Sequence, residues 1–154
     1  MTNQNYNNNI EFINNKSYIF EKGIYTQGNT QITCWIKKEL FHLLYIPSTV
    51  SFRFSDILKM YVAQFCMWKY GYNFAYISPF VYQKRNEHDF MKDFCSEIQM
   101  YNNILKLFEI FKTIVLNKNP SDILLVYNKL YEHNIVKKEE LDILEKWLDE
   151  IRKI

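Results

Sequence analysis

The clearest signal along this chain is a change in the spacing of its apolar residues. Ile57, Tyr61, Phe65 and Trp68 recur at the period of an amphipathic helix. Ser55 stands just before them as a candidate N-cap. Asp56 would then occupy the first helical position, where a carboxylate meets the positive end of the helix dipole. Gly71 predicts the C-terminal stop. Phe74, Tyr76 and Ile77 follow in a short β-prone run between Asn73 and Pro79. Phe80 to Asp89 then turns polar and charge-dense, reading VYQKRNEHD from Val81.

The last third returns to helical spacing. Ile104, Leu107, Phe108, Phe111 and Val115 form one stripe, and Asn119-Pro120-Ser121 breaks it and offers a new cap. Leu124, Tyr127, Leu130 and Tyr131 form a second stripe that closes near Asn134. Leu141, Leu144, Leu148 and Ile151 form a third, with Trp147 beside it. Three such helices with short breaks predict a small bundle. Upstream the pattern is weaker. Residues 10–34 mix short apolar pieces such as Tyr18–Phe20 with Gly23 and Gly28, which predicts irregular structure with one short strand at most. Leu40, Phe41, Leu43 and Leu44 fit a short helix or a strand before Pro47-Ser48-Thr49 breaks the chain. Met1 to Asn9 is polar and Asn-rich, the composition of a disordered lead-in and not of a secretory leader.

Composition sharpens this reading. A hydrophobic fraction of 48% over 154 residues supports one core, and 12 Tyr with 12 Phe supply large side chains to fill it. Only 3 Gly and 3 Pro argue for helices over a turn-rich β fold. Basic residues number 19 and acidic ones 17, a balance that speaks against a nucleic-acid surface. No apolar run is long enough to span a bilayer, so no membrane insertion is expected. Cys34, Cys66 and Cys95 are lone and widely spaced, as expected of buried thiols in a reducing, cytoplasmic compartment.

Two long motifs and one looser one resemble the C-terminal part of STELLO-like proteins, a family related to GT-A glycosyltransferases. The first runs through GNTQITCWIKKELF and LLYIPSTVSFRFSDILKMYVAQ, with Asn29, Thr30, Trp35, Lys38, Glu39, Pro47, Thr49, Val50, Arg53, Ser55, Asp56, Ile57, Ala63 and Gln64 on the family pattern. The second is PFVYQKRNEHDFMKDFCSEIQMY, Pro79 to Tyr101. The helical tail ending in LDILEKWLDEI is the looser one. The resemblance implies an α+β, mainly helical fold: the truncated C-terminal half of a GT-A-like domain, with a few short strands followed by a small helical bundle. It implies a partial glycosyltransferase-like domain over residues 10–117 and a helical hairpin over 118–154 packed on it. In the family, a nucleotide-sugar-binding half with an Asp-x-Asp metal motif precedes this region. No D-x-D occurs here, and the stretch before Gly28 is too short for a βαβ unit.

The expectations for chemistry follow from both readings. Asp56 is the candidate base that would take the proton of an acceptor hydroxyl, and its alternative role is to cap its own helix. Arg53 would pair a phosphate oxygen through its planar fork, or pair with Asp56. Gln83, Lys84, Arg85 and Asn86 would bind substrate, with Lys84 and Arg85 neutralising a diphosphate leaving group. His88 would be a metal ligand or a phosphate donor, against a solvated loop in which Asp89 caps the next helix. Asp93 and Glu97 share a helix face and could bind a metal, but like charges at that spacing read as solvated. Trp35 and Trp68 are candidates for stacking a sugar, with core packing the stronger role for Trp68. His42 and His133 read as structural. Mn²⁺ or Mg²⁺ is expected only with a complementing donor-binding half, which with a nucleotide sugar is the expected partner. A non-catalytic interaction or assembly module derived from a transferase is the alternative, because loss of the donor half would bare an apolar face.

Overall fold

A computed structural model describes residues 16–28, 30–78 and 87–154. The expected lead-in at 1–9 lies outside the described residues. The fold is mainly helical with one small two-stranded sheet. Among the described residues four α-helices carry it: α1 Phe52–Met67, α2 Phe90–Lys112, α3 Asp122–Glu132 and α4 Glu139–Ile151. Strands β1 (Tyr18–Ile19) and β2 (Ala75–Tyr76) pair antiparallel, Tyr18 opposite Tyr76. Lys38–Leu44 settles as a 3-10 helix, which resolves the helix-or-strand ambiguity of that segment.

Helix α1 is the centre of the molecule. It packs against α2, α3 and the 3-10 helix, and from Leu58 to Gln64 every side chain is buried. A helix enclosed on several sides needs more than one apolar stripe, so burial extends beyond the Ile57–Trp68 face. The helix begins at Phe52, one turn earlier than Ser55 and Asp56 suggested. The amides of Phe54 and Ser55 both donate to the Ser51 carbonyl, and the Ser55 hydroxyl donates to the Phe52 carbonyl at 2.8 Å. Ser55 is therefore inside the first turn, and Asp56 follows it along the helix instead of opening it. At the other end Gly71 stops the helix as expected, with φ +85°. Tyr72 N–H donates to the Met67 carbonyl and Gly71 N–H to the Trp68 carbonyl, the paired bonds of a Schellman motif. Asn134 (φ +58°) closes α3 in the same way, through Ile135 to Leu130 and Asn134 to Tyr131.

The start of α3 is also held differently from the expected Ser121 cap. Ser121 makes no side-chain cap bond. Asp122 instead reaches back, and its Oδ2 accepts the Asn117 and Asn119 amides at 2.7 and 3.2 Å. Helix α2 ends at Lys112, which leaves Val115 outside the helical stripe and exposed.

One hydrophobic cluster runs from Leu40 to Leu148. Tyr25 stacks on Phe108 at 4.5 Å and tilts against Trp68 at 4.7 Å, which ties the N-terminal segment to α1 and α2. Buried Gln64 does the same with polar atoms. Its Oε1 accepts the Thr26 amide at 3.0 Å while its Nε2 donates to the Thr26 carbonyl at 2.7 Å. Both backbone groups of Thr26 are thereby paired without a neighbouring strand. Of the three thiols expected to be buried, only Cys66 is; Cys34 and Cys95 are exposed. Among the described residues no helix is long and apolar enough to cross a membrane.

Candidate functional site

The first turn of α1 and the first two turns of α2 lie side by side. The residue before α1 is tied to the third turn of α2 by the Ser51 amide, which donates to Gln99 Oε1 at 2.6 Å. Asp89 caps α2, its Oδ1 accepting the Met91 and Lys92 amides at 3.1 Å each. These anchors fix an open cleft of about 500 Å³ lined by Arg53, His88, Phe90, Asp93, Phe94, Glu97 and Tyr101.

Arg53 is the hub of this cleft. Its Nε donates to Glu97 Oε1 at 2.6 Å and its Nη1 lies 3.4 Å from Asp93 Oδ1. The i,i+4 spacing of the two carboxylates matches the span of the guanidinium fork. Asp93 passes the network to His88, whose Nδ1 is 2.8 Å from Oδ2. Glu97 passes it to Tyr101, whose hydroxyl donates to Oε2 at 2.9 Å. The bond from Arg53 and then that from Tyr101 hold the Glu97 carboxyl below the usual carboxylate range. Arg53 is raised in turn, first by its hydrogen bond to Glu97, and the Tyr101 hydroxyl is raised by the same carboxylate. All four polar side chains remain partly open to solvent, and Phe90, Phe94 and Tyr101 form an apolar wall beside them.

Arg53 and His88, one from each of the two longer motifs, thus meet at one cleft. Asp56 does not line it. Asp56 lies further along α1, near enough to favour the charged forms of Arg53 and Lys59. Gln83, Lys84, Arg85 and Asn86 lie outside the described residues. Asp93 and Glu97, read from sequence as a solvated face, instead clamp Arg53. Among the described residues no group of three or more His, Cys, Asp or Glu side chains is placed to hold a metal ion. Arg53 also occupies the space between the two carboxylates.

Trp68 is in the core as expected. Trp35 is half-buried and carries the Lys59 ammonium over its ring at 5.5 Å. Burial lowers the Lys59 pKa, and Asp56 partly offsets this. His42 is buried and its pKa is lowered by that burial; His133 caps α3, its carbonyl accepting Lys106 Nζ at 2.6 Å.

Tyr101, Phe90 and Phe94 line the cleft although none stood out as a site residue in the sequence. Their signal was present, since Phe90, Phe94, Glu97 and Tyr101 share the helical face of Asp93. It was hidden because nothing in the sequence says which face meets Arg53. No protein-family model, curated protein or solved structure matches the chain.

Proposed function

We propose that this chain is a glycosyltransferase-like module that supplies the acceptor side of a sugar-transfer site, with the donor held by another polypeptide half. The observation that carries this reading is the meeting of Arg53 and His88, distant in sequence, at one cleft with an aromatic wall. The acceptor side is the one that the charge pattern of the cleft supports. Among the described residues the guanidinium of this cleft is that of Arg53, already paired with Asp93 and Glu97, so a diphosphate there would meet two carboxylates beside it. A neutral sugar suits the cleft better. Its hydroxyls can donate to Asp93 and Glu97 and accept from Arg53, while its C–H face lies on Phe94 or Tyr101.

The test is an NMR titration of the labelled chain with neutral mono- and oligosaccharides, beside a UDP-sugar with Mn²⁺. Saccharides should shift the resonances of Arg53, Phe94 and Tyr101, and Arg53→Ala should remove those shifts. The UDP-sugar should bind weakly or not at all. Tight UDP-sugar binding by this chain alone, or saccharide shifts unchanged in Arg53→Ala, would overturn the reading.

A second reading, a non-catalytic interaction or assembly module, draws on a different observation. Helix α2 carries an apolar face that no described residue covers.

A further inference from the structure

The amino-terminal two-thirds of α2 has a second face besides the one that meets Arg53. Met91, Phe94, Ile98, Tyr101 and Leu105 follow one another at alternating steps of three and four, the a and d positions of successive heptads. All five are exposed, Met91 by 70% and Leu105 by 77%, and Phe90 beside them by 83%. The next d position, Phe108, turns into the core, and the exposed Glu109–Lys112 pair closes the stripe. Between Phe90 and Gln99 no residue of α2 is buried.

We propose that this stripe is the seam of a homodimer, in which α2 packs against α2 of a second copy about a two-fold axis. The proposal rests on the interaction-module reading and names its partner. Three features favour a second copy as occupant. The six side chains expose roughly 700 Å² of largely apolar surface, close to the ~800 Å² per partner that a stable interface buries. The pattern is that of a helix seam, and a second copy presents the same knobs and holes. The flanks carry no charge that would repel a copy. Positions beside the stripe are Cys95, Glu97, Asn102 and Ile104, and Glu97 is neutralised within its own chain by Arg53. Phe94 and Tyr101 belong both to the stripe and to the cleft wall. The second copy would therefore close the open side of the cleft.

Ile98 is the middle residue of the stripe. In any two-fold pairing that lays the whole stripe on itself, parallel or antiparallel, Ile98 faces its own counterpart. The test follows from that. In a chain carrying Cys34→Ser and Cys95→Ser, Ile98→Cys should give a disulfide-linked dimer under mild oxidation. Sedimentation equilibrium of the unmodified chain should show a concentration-dependent dimer. Leu105→Glu should weaken it by about a hundredfold, with the circular dichroism spectrum unchanged because Leu105 is exposed in the single chain. A chain that is monomeric throughout, or a dimer indifferent to Leu105→Glu and left uncrosslinked by Ile98→Cys, overturns the proposal. A third arm adds a synthetic amphipathic helix with Leu at a and d. If the monomer binds this peptide and Leu105→Glu does not, self-pairing fails while the interaction reading survives. If neither binds, both fail.

Discussion

Two carboxylate clusters in this molecule are built on opposite principles. Glu140, in the first turn of α4, is fully buried. Its Oε1 accepts the Tyr45 hydroxyl, its two oxygens share the Ser48 amide at 3.0 Å, and Oε2 accepts the Thr49 amide at 2.6 Å. No cation takes part among these contacts. Asp93 and Glu97 are instead half open, paired to Arg53 and bordered by exposed aromatic rings. The Glu140 cluster fastens the Ile46–Thr49 turn to α4, and both carboxylate oxygens are engaged by that turn and by Tyr45. Such a site has little left to offer a ligand. The Arg53 cluster has solvent on one side, hydroxyl-accepting oxygens and an apolar wall, so exchange with a ligand is possible there. Burial and access to solvent, more than charge, separate the fastening from the candidate site.

The largest expected effect tests the fastening. Glu140→Ala should destabilise the chain by about 3 kcal/mol, because the Ser48 and Thr49 amides and the Tyr45 hydroxyl would be left without their acceptor. Urea unfolding measures this, and a loss of only a few tenths would show that water replaces the carboxylate. Gly71→Ala comes next. Its φ of +85° is unfavourable for any residue with a Cβ, although an added Cβ would meet nothing within 4 Å. About 1 kcal/mol should be lost, and a neutral result would mean that the α1 stop relaxes.

A pH series sharpens the contrast between sealed and open groups. His42 is sealed, and burial lowers its pKa below that of the unfolded chain. The unfolded state then binds the extra proton first, so stability should be full above about pH 6.5 and fall as the pH drops below it. His42→Gln should flatten that slope in thermal melts. Glu97 is also held low, so its contribution is present above the unfolded carboxyl pKa and is lost as pH falls through its lower folded value. Its exposure makes that loss the smaller one. Arg53→Ala should change stability least of all. It should nonetheless alter the environment of Tyr101, whose hydroxyl pKa is raised by Glu97 and lowered by Arg53 and should therefore rise further in a spectrophotometric titration. An Arg53→Ala chain as destabilised as Glu140→Ala would erase the distinction between the two clusters.

Much of the helical architecture was legible in the chain itself. The stops at Gly71 and Asn134, the stripes of α3 and α4 and the β-prone run near Tyr76 are local signals, because caps and amphipathic periods depend only on neighbours within a turn or two. The same locality explains the misread start of α1. Ser55 is chemically a good cap, yet the helix begins at Phe52, where the preceding Ser51 amide bonds Gln99 from a helix distant in sequence. Tertiary contact also decided the roles of identical side chains. Asp93, Glu97 and Glu140 are all carboxylates in early helical turns, and nothing local told which would be clamped by an arginine and which sealed under a turn. That outcome depends on what the fold brings opposite each of them: a guanidinium at an open edge, or three hydrogen-bond donors in a dry interior. Sequence set the periods and the C-terminal stops through short-range sterics and hydrogen bonding. Burial and the pairing of charges are properties of surfaces meeting in space, and they were settled only when α1, α2 and α4 packed.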